Sequence, residues 1–164
     1  MNQLDKLIFK MSQYYRGDAK RIQHFVMVHS FAKLIGANEN LSERELFILE
    51  AAAITHDIGI KKAEELYHCC DGALQEQLGP DLARKMLSEL EFDEEEISRV
   101  CYLIAHHHTY NDIDGKDYRI LVEADFLVNL YENGSDDNAI SSAYGKIFQT
   151  ETGKELCRMM FNLT

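Results

Sequence analysis

What most constrains this chain is that apolar residues recur at helical spacing along almost its whole length, while alternating β-branched runs are few and proline occurs once, at Pro80. Such patterning offers little to a sheet, so the predicted fold class is all-α, a compact multi-helix bundle. Helix starts follow from local chemistry. Ser42 with Glu45 makes a capping box ahead of LFILEAAAITHD, and Asp93 with Glu96 does similar work ahead of ISRVCYLIAHHH. Gly36, Gly72 and Gly79, with the polar stretches NDIDGKD and ENGSDD, are read as breaks. Helices are expected near residues 3–15, 18–36, 42–57, 60–68, 80–90, 94–108, 116–132, 136–148 and 152–162. No repeat, low-complexity tract or linker divides the 164 residues, so one domain is expected over 1–164. Its functional core would occupy about 18–132, and the last two helices, about 136–162, would cover the bundle or form a partner surface.

Charge narrows the partners. Seventeen Lys and Arg stand against 28 Asp and Glu, a formal net charge of -11 with no basic cluster, so duplex nucleic acid would meet a repulsive surface. No apolar run approaches the roughly 20 residues of a bilayer span, and MNQLDKLIFK lacks a signal-peptide core. A cytoplasmic protein without membrane contact is expected, its oligomeric state open. The four cysteines, Cys69, Cys70, Cys101 and Cys157, contain no Cys-x-x-Cys pair and are read as reduced thiols.

Three polar interruptions of the apolar pattern carry the chemistry. His24 precedes Val28, Phe31 and Ile35 by four, seven and eleven positions and so points inward. His56 follows Leu49, Ala52 and Ala53 on one face, and Asp57 comes next, where a carboxylate at a helix C-terminus opposes the dipole unless a cation is near. Asp125 shares a face with Tyr118, Leu121, Val122 and Val128, and an unpaired buried carboxylate needs donors, an arginine or a metal. Separate core hydrogen bonds would account for each residue singly. Together, two imidazoles and two carboxylates suit Mn, Fe, Co, Ni or Zn better than calcium.

The order His24, then His56-Asp57, then Asp125 within EADFLVNL resembles the H…HD…D pattern of the HD superfamily of metal-dependent phosphohydrolases. The resemblance spans most of the domain and implies a helical bundle in which these four residues hold a divalent transition metal, with Mg a further candidate. It also implies hydrolysis of a phosphomonoester or phosphodiester by metal-activated water, on a small anionic substrate such as a nucleotide. Asp57 would both ligate and orient the water. His107 and His108, inward-facing at the end of the helix from Glu94, resemble the paired histidines of HD-GYP phosphodiesterases, which support a second metal. No Gly-Tyr-Pro follows, however, and Ile60 stands where that subgroup commonly has lysine, with Lys61 one place later.

Arg21, one helical turn before His24, and Lys61 are candidate phosphate contacts, each with the alternative of an ordinary surface role. Two other functional readings follow from the same residues. One is a regulatory or ligand-binding module that keeps the metal without turnover. The other is a di-iron oxygenase, as some HD relatives are, drawing on His107 and His108.

Overall fold

All 164 residues are described by the computed structural model, which is built of nine helices: α1 (Gln3–Tyr14), α2 (Ala19–Asn38), α3 (Glu43–Thr55), α4 (Gly59–Tyr67), α5 (Gly72–Glu89), α6 (Glu94–His106), α7 (Gly115–Glu132), α8 (Asp137–Lys146) and α9 (Glu151–Phe161). The α3 helix is the axis of the arrangement. Every residue from Ile48 to Thr55 is buried, and a helix buried on all sides must be surrounded. The Ala51–Ala53 run keeps its girth small, and α1, α2, α6 and α7 all pack against it. Around it lies one hydrophobic core of 36 buried residues. No helix is long and apolar enough to cross a membrane.

Capping explains where most of these helices start. Ser42 and Asp93 form the two expected capping boxes, while Asn2, Asp18, Asp71, Asp136 and Thr150 accept from the first-turn N–H groups of α1, α2, α5, α8 and α9. The start of α4 has no side-chain cap; it leaves a tight turn through His56 and Ile58, both in right-handed helical conformation.

The fifth helix departs from the sequence expectation. It begins at Gly72 instead of near residue 80 and carries Pro80 in its interior. Asp71 supplies the cap to Leu74 N at 2.9 Å, and the helix continues through Pro80 without the ladder hydrogen bond its missing N–H would have made. Gly79, like Gly36 within α2, is therefore no break, whereas Gly72 stands at the boundary between α4 and α5. A Cβ at Gly79 would lie 2.6 Å from Ile104 Cγ2, so the glycine admits α6 against α5.

The α9 helix is pinned to α7 by Glu123, which is fully buried and accepts from Gln149 N (2.7 Å), Thr150 N (3.0 Å) and Thr150 Oγ1 (2.5 Å). Burial, only partly offset by these donors, raises its pKa. The α9 helix thus covers the α2 and α7 side of the bundle.

Gly59 brings α4 backbone to backbone with α5: an added Cβ would meet Gln75 O at 2.9 Å and Gly79 N at 3.1 Å. Gly145, in α8, has nothing within 4 Å of that position. Alanine normally favours a helix over glycine by about 0.5–1 kcal/mol. Thermal denaturation should therefore separate the two sites: Gly145→Ala raises Tm slightly, whereas Gly59→Ala lowers it, because two backbones must part at a cost of about 1–3 kcal/mol. Equal effects at both sites would contradict this packing.

Candidate metal centre

Packing among α2, α3 and α7 brings the three predicted elements to one point. His24 comes from the middle of α2, His56 is the residue capping the C-terminus of α3, and Asp125 lies midway along α7. Asp57 is not the last residue of a helix, as the sequence suggested. The α3 helix ends at Thr55, and Asp57 occupies the turn that follows, held by Ile58 N to Thr55 O (2.9 Å) and by Tyr15 Oη donating to its own carbonyl (2.6 Å). The turn frees its carboxylate to face the histidines.

Four donor atoms converge. His24 Nε2 lies 3.3 Å from His56 Nε2, 3.2 Å from Asp57 Oδ2 and 3.2 Å from Asp125 Oδ1. His56 Nε2 is 3.3 Å and 3.4 Å from the same two oxygens. Bond lengths of about 2.0–2.2 Å to a divalent ion place neighbouring ligand atoms about 3 Å apart, close to this spacing. The side chains of His56, Asp125 and His24 are 0%, 5% and 9% exposed against 16% for Asp57, so the centre opens towards solvent over Asp57.

Burial opposes charge on every member, and mutual attraction outweighs it. His24 is raised above the ordinary imidazole pKa by its hydrogen bond to Asp125 and the Asp57 charge, despite burial and the repulsion of His56. His56 is raised well above it against complete burial, by the charge of Asp57 and hydrogen bonds to Asp125 and Asp57. Asp57 is held well below the carboxylate range, burial notwithstanding, by the charge and hydrogen bonding of His56 and by the approach of His107. Asp125 is likewise lowered, chiefly by hydrogen bonds to His24 and His56 acting against burial. Without a cation the cluster therefore favours the protonated imidazoles.

His107 supplies the observation that favours a cation over a set of closed ion pairs. Its ring is 1% exposed and its Nδ1 is engaged by Ile104 O at 2.7 Å, yet its buried Nε2 has no hydrogen-bond partner. The nearest oxygen is Asp57 Oδ1, 3.6 Å away. Asp57 therefore turns Oδ2 to His24 and His56, and Oδ1 to His107, the arrangement of a carboxylate shared between two sites. His108 lies close enough to make a second ligating group with Asp57 and His107. Its Nε2 faces Gln75 Oε1 at 2.8 Å, and burial with the nearby His107 lowers its pKa to about 4. His106 belongs elsewhere: its Nδ1 faces Tyr102 O at 2.7 Å.

Arg21 and Lys61 lie in a neighbouring surface pocket of about 420 Å³ with their charges engaged. Arg21 pairs with Glu64 (2.5 Å) and Asp18 (2.9 Å), and Lys61 donates to Tyr14 O (3.0 Å), tying α4 to the end of α1. Cys101 and Cys157 are buried and Cys69 and Cys70 exposed, none joined in a disulfide. Supporting residues that the sequence reading passed over include Asn129, whose amide donates to Asp125 Oδ1 at 2.9 Å, Gln75, and Glu132 beside His24. Asp125, Asn129 and Glu132 are spaced by four and three, a polar stripe legible on one face of α7.

Comparison with known proteins agrees with this geometry. The family model of the HD domain matches residues 21–142, so the chain belongs to the HD-domain family. Among solved structures, a predicted HD superfamily hydrolase from an uncultured Thermotogales bacterium is similar in fold. It shares 23% identity, the match covers 96% of this chain and 84% of that one, and the TM-score is 0.70. A comparison with curated proteins finds no match.

The raised histidines set the sign of a pH effect. A group whose folded pKa is raised stabilises the metal-free protein fully below its unfolded value, about 6.5 for histidine, and that stabilisation is lost as pH rises through the folded pKa. The lowered carboxylates act oppositely and matter only in acid, as pH falls below about 4 towards their folded values. Ligation requires neutral imidazoles, so a bound cation replaces the protons. The rise in Tm caused by excess Mn or Zn should therefore be larger at about pH 8 than at about pH 6. A rise that is constant or shrinks with pH would contradict the assigned protonation.

Proposed function

We propose that this HD-domain protein is a metal-dependent phosphohydrolase that cleaves a phosphomonoester or phosphodiester of a small anionic substrate, nucleotides included. The observation that carries the reading is that His24, His56 and Asp57 gather close enough to hold one ion, with Asp125 Oδ1 within 3.4 Å of both imidazoles, beside a buried, unpartnered His107 Nε2. The donor set is mixed nitrogen and oxygen, which fits Mn, Fe, Co, Ni or Zn, with Mg a further candidate, and Asp57, His107 and His108 offer a second position. A divalent cation held there supplies a Lewis acid for a phosphoryl oxygen and makes a water molecule more acidic near neutral pH.

The chain's own residues supply orientation. Tyr15 fixes the backbone of Asp57, so the carboxylate at the open side has a set direction, and its Oδ1, turned from His24 and His56, can accept a hydrogen bond from water and aim its lone pair. His56 and His107 keep their Nδ1 atoms bound to Ala53 O and Ile104 O, so that both Nε2 atoms face the centre. His108, with a pKa near 4, stays a neutral imidazole at neutral pH and can contact a phosphate oxygen through N–H once Gln75 yields. The ion pairs of Arg21 and the bond from Lys61 to Tyr14 O argue for specificity at the pocket rim rather than direct contact with the reacting phosphate. The related structure, named a predicted HD superfamily hydrolase, agrees with a hydrolase here.

A hydrolysis screen with Mn, Co, Ni or Mg across phosphomonoesters, nucleotides and cyclic nucleotides tests the reading, with Asp57→Ala as control. Turnover should require metal and fall below about one hundredth in the variant, a loss of at least about 2.7 kcal/mol in transition-state stabilisation. Metal binding lost in the variant with no turnover in the parent on any substrate would instead favour the ligand-binding module.

A further inference from the structure

Three histidines of the centre present Nε2 inwards, and each needs an acceptor at Nδ1 to hold that orientation. His56 and His107 find theirs within their own helices. Each caps the C-terminus of its helix, α3 and α6, where carbonyls have no onward N–H partner, and each Nδ1 faces the carbonyl three residues back, Ala53 O (2.8 Å) and Ile104 O (2.7 Å). His24 has no such option. It sits in the interior of α2, where the preceding carbonyls are committed to the helix ladder.

Its Nδ1 instead meets Glu132 Oε2 at 3.0 Å. Glu132 is the last residue of α7, and a carboxylate at that end opposes the helix dipole. The His24 N–H relieves this penalty. The contact is sheltered, since the side chains are 9% and 22% exposed. On the same face of α7, Asp125 supplies a metal-facing oxygen and Asn129 donates to it, so one stripe carries a ligand, its support and the acceptor for a ligand on another helix.

We infer that Glu132 is the positioning residue of the centre, fixing the His24 ring so that Nε2 is presented to the cation. The inference rests on the metal-centre reading above. It also predicts that α7, rather than α2 itself, sets the orientation of the α2 ligand. The Glu132 carboxylate lines an apolar groove of about 500 Å³ between α2, α7 and α9, on the side of the His24 ring away from the cluster.

The test compares the parent with Glu132→Leu and Glu132→Gln by two readouts. The first is affinity for Mn and Co measured by titration. The second is the His24 Nδ1–H proton resonance in metal-free, ¹⁵N-histidine-labelled protein. Leucine cannot accept the hydrogen bond, whereas the glutamine carbonyl can. Glu132→Leu should weaken metal binding about 10–100-fold and remove the protected resonance, Glu132→Gln should recover most of both, and the Tm of the metal-free protein should show that both variants fold. A parent that binds no metal but shows the resonance, lost in Leu and kept in Gln, would defeat the metal reading and leave the positioning role standing. Unchanged affinity and an unchanged resonance in Glu132→Leu would overturn the inference, as would equal losses in Leu and Gln.

Discussion

The constraint on which this structure depends is the burial of four ionisable groups at the meeting point of three helices. Two imidazoles and two carboxylates removed from water would each cost several kcal/mol in isolation. They are tolerable because each is within 3.4 Å of opposite charge, and the space they define could hold a divalent cation. The surrounding fold serves that convergence. The α3 helix must be small and apolar on all sides to be enclosed, since only then does its end carry His56 and the Asp57 turn to the molecule's centre. The alanine run and the backbone approach at Gly59 are local sequence solutions to the same geometric demand.

The three centre histidines illustrate two ways of orienting a ring. A helix end has spare carbonyls, and His56 and His107 use them at no cost to the ladder. A helix interior has none, so His24 relies on a side chain 108 positions away in sequence. Asp57 joins the two halves of the centre, with one oxygen towards His24 and His56 and the other towards His107.

Much of this was legible in the sequence because the relevant physics is local. Capping boxes at Ser42 and Asp93 depend on four consecutive residues, and both formed as read. The inward direction of His24 and Asp125 follows from apolar neighbours a turn or two away, and both are buried. The α5 helix was truncated in the reading because glycine and proline are breakers only on average. Gly79 is demanded by Ile104 across the interface, and Pro80 sits in a helix already capped at Asp71. The Ile104 contact is tertiary and leaves no local trace, whereas the Asp71 cap is local. The partnership of Arg21 with Glu64, 43 positions on, is equally invisible in the sequence. Glu132 was overlooked because an acid at a helix end reads as solvated, and its spacing from Asp125 and Asn129 was the signal that would have exposed it.

The central claim is that these residues hold a cation, and crystals grown with Mn and measured for anomalous scattering test it most directly. The account predicts an anomalous peak about 2.0–2.3 Å from His24 Nε2, His56 Nε2 and carboxylate oxygens of Asp57 and Asp125. A fully formed cluster at neutral pH with no peak among those atoms, or with the ion bound elsewhere on the protein, would contradict it.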